Sequence, residues 1–258
     1  MFRPYARRPS NRLLTLAFAA TVLACATPLR AQAPAAPAAP PPIWAGSVGL
    51  GLALTSGNAD TSSFNLTLKA AYDPMNPHRV TADALYLRGS SEGDLLINRS
   101  TFGVRDEYAL TDRALIFGQV RYLRDTFKAI DYLVAPTAGV GYKIVNTEPT
   151  KFGVDAGAGV VWERDLDLST TTSGAIVLGQ TFSRRLSGTA TVTEAATGLW
   201  KTSDFGDSLY TFGAGVTAAL TPKSTIKVEL LETYKSLPPL PTIDKQDVAL
   251  IVSLVYAF

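Results

Sequence analysis

From Trp44 onward the chain alternates, residue by residue, between large apolar side chains and small or polar ones. Phe64, Leu66, Leu68, Ala70 and Tyr72 interleave with Asn65, Thr67, Lys69, Ala71 and Asp73. The same weave runs from Lys151 to Glu163 and from Tyr210 to Leu220. A strict period of two marks strands that present one apolar and one polar or small face. No stretch of the chain carries a sustained helical period. The fold class is all-β.

The breaks between these stretches constrain the architecture further. Strands are predicted near 44–54, 62–73, 79–89, 96–110, 113–124, 132–145, 151–163, 172–184, 188–201, 208–220, 225–235 and 246–258. The connections alternate in character. Tight ones fall at 74–78, 111–112, 146–150, 185–187 and 221–224, with longer or irregular ones at 55–61, 90–96, 125–131, 164–171, 202–207 and 235–245. This is the layout of a closed antiparallel up-and-down transmembrane β-barrel of about 12 strands, with short periplasmic turns and longer extracellular loops. A tilted membrane strand needs only about 9 to 11 residues. In lipid every backbone donor and acceptor must be paired, which favours an edgeless barrel. The apolar faces should then point outward and the small, polar faces into the lumen. Aromatics gather at both strand ends, at Tyr72, Tyr108, Tyr142, Phe152, Tyr256 and Phe258 on the turn side and at Tyr86, Tyr122, Tyr132, Trp162 and Tyr210 on the loop side. Two such belts suit two lipid–water interfaces. Glu194 and Glu232 interrupt the apolar faces of 188–201 and 225–235, so the register of those strands stays open.

The N-terminal region sets the compartment. Arg3, Arg7, Arg8 and Arg12 precede the apolar run Leu13–Ala26, and small residues follow. That is the form of a cleaved export signal, placed at 1–33. The apolar run is shorter than the roughly 20 residues that span a bilayer. Ala24-Cys25-Ala26 and Ala31-Gln32-Ala33 both offer a cleavage site, although Pro34 hinders the second. "VLAC" also has the form of a lipoprotein box, so Cys25 is either discarded with the signal or a lipid anchor. Residues 34–43 form an Ala/Pro-rich linker, and the barrel occupies 44–258. Loss of the five arginines at 3, 7, 8, 12 and 30 takes 24 basic residues to 19, against 22 acids. The mature chain is then acidic, and no nucleic-acid partner is expected. Without Cys25 it holds no thiol and no disulfide.

"VALIVSLVYAF" closes the sequence with large side chains at alternate positions, ending on Leu254, Tyr256 and Phe258. It resembles the terminal aromatic signal by which bacterial outer-membrane barrels are recognised by their assembly machinery, but lacks the glycine often found earlier in that signal. "SGNADTSSFNLTLKAAY", the run from "YALTDRALIFGQ" to "GVDAGAGV", and the closing "VSLVYAF" together resemble the YdiY-like proteins. These are bacterial proteins described as salt-induced outer-membrane proteins of undefined molecular function. The resemblance implies a β-barrel integral to the bacterial outer membrane, in contact with its lipids and lipopolysaccharide. It supplies no catalytic motif, cofactor or substrate.

Enzymatic chemistry finds little support in the residues. A barrel-embedded hydrolase or acyltransferase needs Ser, His and an acid within hydrogen-bond reach. The only histidine, His78, belongs to a turn, out of reach of loop-side serines. No catalytic residue is assigned and the chain is read as a non-enzyme. No His/Cys cluster has metal-ligand spacing, so neither metal nor cofactor is expected. Acidic loop residues Asp60, Glu92, Asp94, Asp125, Asp131, Asp165, Asp167, Asp204, Asp207 and Asp244 are oxygen ligands in kind, without the spacing of an ordered calcium loop. What remains is charge on the inward faces: Lys69, Asp83, Arg105, Glu107, Arg121, Lys143, Asp155, Lys227 and Glu229. They either line a narrow polar pore for small ions or solutes, or pair across the lumen and fill it. Arg105 and Arg121 are expected on neighbouring strands with Glu107 close by.

Overall fold

A computed structural model describes residues 43–258 apart from 57–60, 75, 92–93 and 167. The expected signal segment and nearly all of the linker lie outside the described residues. Twelve strands run in order: β1 (Trp44–Ser56), β2 (Thr61–Tyr72), β3 (His78–Ser91), β4 (Asp94–Ala109), β5 (Ala114–Asp125), β6 (Ile130–Asn146), β7 (Thr150–Asp165), β8 (Thr171–Arg185), β9 (Ala190–Lys201), β10 (Asp204–Ala219), β11 (Ser224–Lys235) and β12 (Gln246–Ala257). Each pairs antiparallel with its neighbours in sequence, and β1 pairs with β12, so the sheet closes into a barrel.

Closure is held by the ladder from Ser47↔Ala257 to Ser56↔Val248. Beyond it, Gly46 and Phe258 exchange backbone hydrogen bonds of 3.1 and 3.0 Å. The Phe258 ring lies over Gly46, where an added Cβ would stand 2.5 Å from the ring. The terminal aromatic therefore covers the one bare position at the turn end of the seam.

One difference from expectation concerns the connections. β3 continues to Ser91 and β4 starts at Asp94, while β9 ends at Lys201 and β10 starts at Asp204. Segments 90–96 and 202–207, expected as loops, are largely strand. Only 236–245 is a long connection on the loop side. Small and polar residues such as "GSS" and "DFGD" read as loop because burial does not favour them, but continued ladder pairing satisfies their backbone groups. Between Asp125 and Ile130 the chain makes a 3-10 turn at Thr126–Lys128, followed by Ala129 with φ 54°.

Registers join residues of equal parity nearly throughout, for example Leu50↔Leu66, Leu68↔Ala84 and Val104↔Val120. Since side chains alternate along a strand, even-numbered positions point outward and odd-numbered positions inward, except at irregular strand ends such as Ile130, where the register shifts and an even residue is buried. Exposed large apolar residues in the strands are accordingly even, as with Leu50, Phe102, Val140, Ile176, Val216 and Leu254. Phe205, within the irregularity between Asp204 and Ser208, is the exception. The aromatics of the two expected belts share this outward parity, joined by Trp44, Trp200 and Tyr234. Glu194 and Glu232 are also outward. Each carboxylate accepts 2.7 Å from the amide of a glutamine on the next strand, Gln180 or Gln246, and each sits beside a phenylalanine, Phe182 or Phe212. That fixes the registers the sequence left open.

The interior holds a surprise for the alternation argument. Its loop-side half is apolar. Leu123, Ile130, Leu133, Ala135, Val161, Ala175, Val177 and Leu199 form one buried cluster with Leu209 against it. Leu87, Ala249 and Ile251 form a second, with Leu85 and Leu231 packed alongside. The expectation of a wholly small and polar lumen fails there.

Candidate functional site: the barrel interior

The nine charged positions singled out from the sequence all have odd, inward parity, and all but Arg121, just past the middle of β5, lie in the turn-side half of their strands. The structure joins most of them. Arg105 donates from Nε to Glu107 Oε1 at 2.7 Å, lies 3.4 Å from Asp155 Oδ2, and reaches Gln119 Oε1 at 3.2 Å. Its guanidinium carbon stands 3.8 Å above the Phe117 ring. Gln119 passes the chain of bonds to Thr137 Oγ1 at 3.0 Å. Arg105 on β4 and Asp155 on β7 are three strands apart, so this contact crosses the interior.

Arg121 sits beside Arg105 on the neighbouring strand, as expected, but pairs elsewhere. Its Nη1 lies 3.2 Å from Asp83 Oδ2, bridging over β4. Gly103 lies between them, and a Cβ there would stand 2.8 Å from Arg121 Nη1 and 2.9 Å from Asp83 Oδ1. Glycine makes the room for this pair. Lys227 and Glu229 pair with each other at 2.7 Å. Lys69 and Lys143 form no ion pair among the described residues.

A second group of charges, which the sequence reading placed in loops or passed over, closes the loop side. Glu163 on β7 is 1% exposed and binds both Lys235 on β11 and Lys201 on β9, and Lys201 also pairs with Asp207. Lys128, 0% exposed, sends Nζ to Asp244 O at 2.6 Å and lies 3.0 Å from Asp247 Oδ2. Arg99 and Asp125, both buried, approach at 3.4 Å. Lys128 follows β5 and Asp247 opens β12, so this contact also spans the interior. Glu163, Lys128, Arg99 and Asp125 are thus withdrawn from solvent at the loop side. For the strand residues a sign of it was legible: Arg99, Asp125, Glu163, Lys201, Asp207, Lys235 and Asp247 share odd parity, and charged residues that stay buried must be paired.

Several of the acidic loop positions are held in the same way. Asp131 pairs with Arg124 and Arg164, Asp204 accepts from Gly206 N, and Asp125 and Asp207 belong to the closure just described. Asp60, Glu92 and Asp167 lie outside the described residues. No group of three or more His, Cys, Asp or Glu among the described residues is placed to hold a metal. His78 opens β3 at the turn rim. Its Nδ1 is 3.5 Å from Asp106 Oδ1, its ring meets Tyr108 edge-on, and both members of the His–Asp pair are half exposed. Among the described residues no serine hydrogen-bonds the imidazole, so the arrangement holds no nucleophile.

The profile of a family described as "protein of unknown function, DUF481" matches residues 48–258, all of the barrel but the first four residues of β1. The chain belongs to the DUF481 family. No curated protein matches it. Solved structures of similar fold include the NanC porin, with TM-score 0.55 and 13% identity over 81% of this chain and 98% of that one. An outer-membrane channel from Pseudomonas putida F1 gives TM-score 0.51 and 14% identity over 86% and 97%. The translocator domain of the autotransporter NalP from Neisseria meningitidis gives 0.50 and 12% over 85% and 90%. At these identities the likeness is one of fold: this DUF481 chain has the closed barrel of porins and outer-membrane channels.

Proposed function

We propose that this DUF481 protein is an integral bacterial outer-membrane barrel whose lumen is a narrow polar channel, open toward the turn rim and closed at the loop rim in the conformation described. The observation that carries this reading is the split between an apolar outward face with two aromatic levels and an inward face lined by charge. An apolar exterior is unfavourable in water and favourable in lipid, whereas interior charge is favourable only where water or a counter-charge reaches it. The turn rim faces the periplasm in this reading, and the 1–33 signal supplies export. Leu254, Tyr256 and Phe258 act as the signal read by the assembly machinery, and lipids and lipopolysaccharide surround the outward face. The YdiY-like resemblance, with its salt induction, is the finer family placement.

The reading is of a non-enzymatic barrel without cofactor or metal: among the described residues His78 faces Asp106 at the turn rim with no serine bonded to its ring. A second reading is a silent structural barrel serving envelope integrity, favoured by the apolar loop-side clusters and the buried Lys128 closure. Single-channel recording of the refolded chain in planar bilayers separates the two. Brief steps that become frequent and larger in Lys128→Met establish the channel. Silence in both proteins establishes the structural barrel.

A further inference from the structure

We infer that the turn-side half of the lumen is a binding site for small organic or inorganic anions, with Lys69, Lys143 and Lys151 as the groups that attract them. The inference rests on the proposed channel, whose turn-side half is a vestibule open at the turn rim, and names the class of solute it takes.

The sign of the site follows from which charges are already paired. Every inward acid of this half has a cation: Asp73 has Arg79 at 3.6 Å, Asp83 has Arg121 at 3.2 Å, and Glu229 has Lys227 at 2.7 Å. Glu107 and Asp155 share Arg105, which leaves one negative charge over, fewer than the three lysines that follow. Lys69 on β2, Lys143 on β6 and Lys151 on β7 share the inward parity, through Lys69↔Asp83, Lys143↔Gly153 and Lys151↔Ser183, and form no ion pair among the described residues. Paired charges nearly cancel a short distance away, so unpaired ones set the local potential. A low-dielectric wall around them concentrates that potential on the lumen and raises the local concentration of the opposite ion.

Space and polarity agree with the charge. At the rim, a recess of about 660 Å³ is lined by Thr111, Arg113, Lys143 and Asn146, with Asp112 the one acid. Arg113 likewise forms no ion pair among the described residues, so cations outnumber acids at the mouth of the vestibule. The loop side has the reverse balance: Asp125, Glu163, Asp165, Asp207 and Asp247 face Arg99, Lys128, Lys201 and Lys235. An anion is thus drawn in at the turn rim and meets its barrier at the loop rim.

The test is equilibrium dialysis of the refolded chain in uncharged detergent against pyranine, a trianionic dye, and a cationic dye of similar size. Pyranine is expected to bind and the cationic dye not. Lys69→Glu with Lys143→Glu should weaken pyranine binding at least about tenfold, or ~1.4 kcal/mol. Arg88→Glu with Arg184→Glu, at outward positions, changes net charge equally and should weaken it less than about twofold, because surface charges beyond a Debye length are screened. Should the glutamate pair fail to refold, Lys69→Gln with Lys143→Gln should still weaken binding several-fold. Equal binding of both dyes overturns the inference, as does an equal loss in the outward variant. Pyranine binding without conductance removes the channel reading and leaves the site standing. Conductance with no preference between the dyes does the opposite.

Discussion

Two ion-pair systems inside one barrel use the same chemistry at different depths of solvent. Near the turns, Arg121 and Asp83 have side chains 51% and 43% exposed. Near the loops, Lys235 and Glu163 have side chains 4% and 1% exposed. Water competes for the first pair and screens it, so it adds little, about 0–1 kcal/mol. The second pair is formed where water is excluded. Forming it was costly, and removing one partner would strand a buried charge. Burial, not the number of charges, separates a lining that a solute could exchange with from a closure that must be broken.

Glu163→Ala should therefore have the largest effect of any single change in the interior. It leaves Lys201 and Lys235 without their shared carboxylate and should cost ~3–5 kcal/mol. The urea midpoint for unfolding from lipid vesicles should fall sharply. An unchanged midpoint would mean that water already reaches the cluster, and the contrast between the halves would collapse. Lys128→Met comes next. It keeps the buried stem and discards the charge, while Asp247 retains contact with water through its side chain, 20% exposed. A cost of ~1–3 kcal/mol is expected, as for a lost hydrogen bond to a charged group. Trypsin cleavage at Lys245 in the 236–245 connection should accelerate with it, and unaltered cleavage would show that Lys128 does not hold that segment. Arg121→Ala should shift the midpoint by less than ~1 kcal/mol. A larger loss would place the turn-side pair in the same class as the loop-side cluster.

The alternation of Phe64–Tyr72 or Lys151–Glu163 was enough to give strands, and the spacing of the breaks gave their number and the closed antiparallel order. Lys69, Asp155, Lys227 and Glu229 could be singled out because each falls at an odd position within a clearly alternating run. The loop-side closure could not. Runs such as "ALYL" (84–87) and "AIVL" (175–178) are apolar on both faces, and a two-face pattern alone assigns them only to the outside. They mark strands buried on one face and exposed to an apolar surrounding on the other. Lys128 gave no signal at all, since its burial depends on a 3-10 turn and on Asp244 and Asp247, more than a hundred residues away in sequence. Contacts of that separation are fixed by barrel closure and not by local pattern.

The smallest expected effect tests how finely the turn-side half is shaped. Gly103 faces the lumen between Arg121 and Asp83, and the nearest atoms to an added Cβ are the ends of those two side chains. Such ends can yield by a few tenths of an ångström, while alanine loses less backbone entropy than glycine, worth roughly 0.5–1 kcal/mol in a strand. The two contributions oppose each other, so Gly103→Ala should leave the unfolding midpoint within ~0.5 kcal/mol of the parent. The ion pair, however, must shift toward the lumen axis. In a background opened by Lys128→Met, single-channel current should fall in Gly103→Ala and recover when Arg121→Ala is added, because the displaced guanidinium is then gone. A current unaffected by Gly103→Ala would mean that the permeation path does not pass this pair, and that the narrowest part of the lumen lies on the loop side alone.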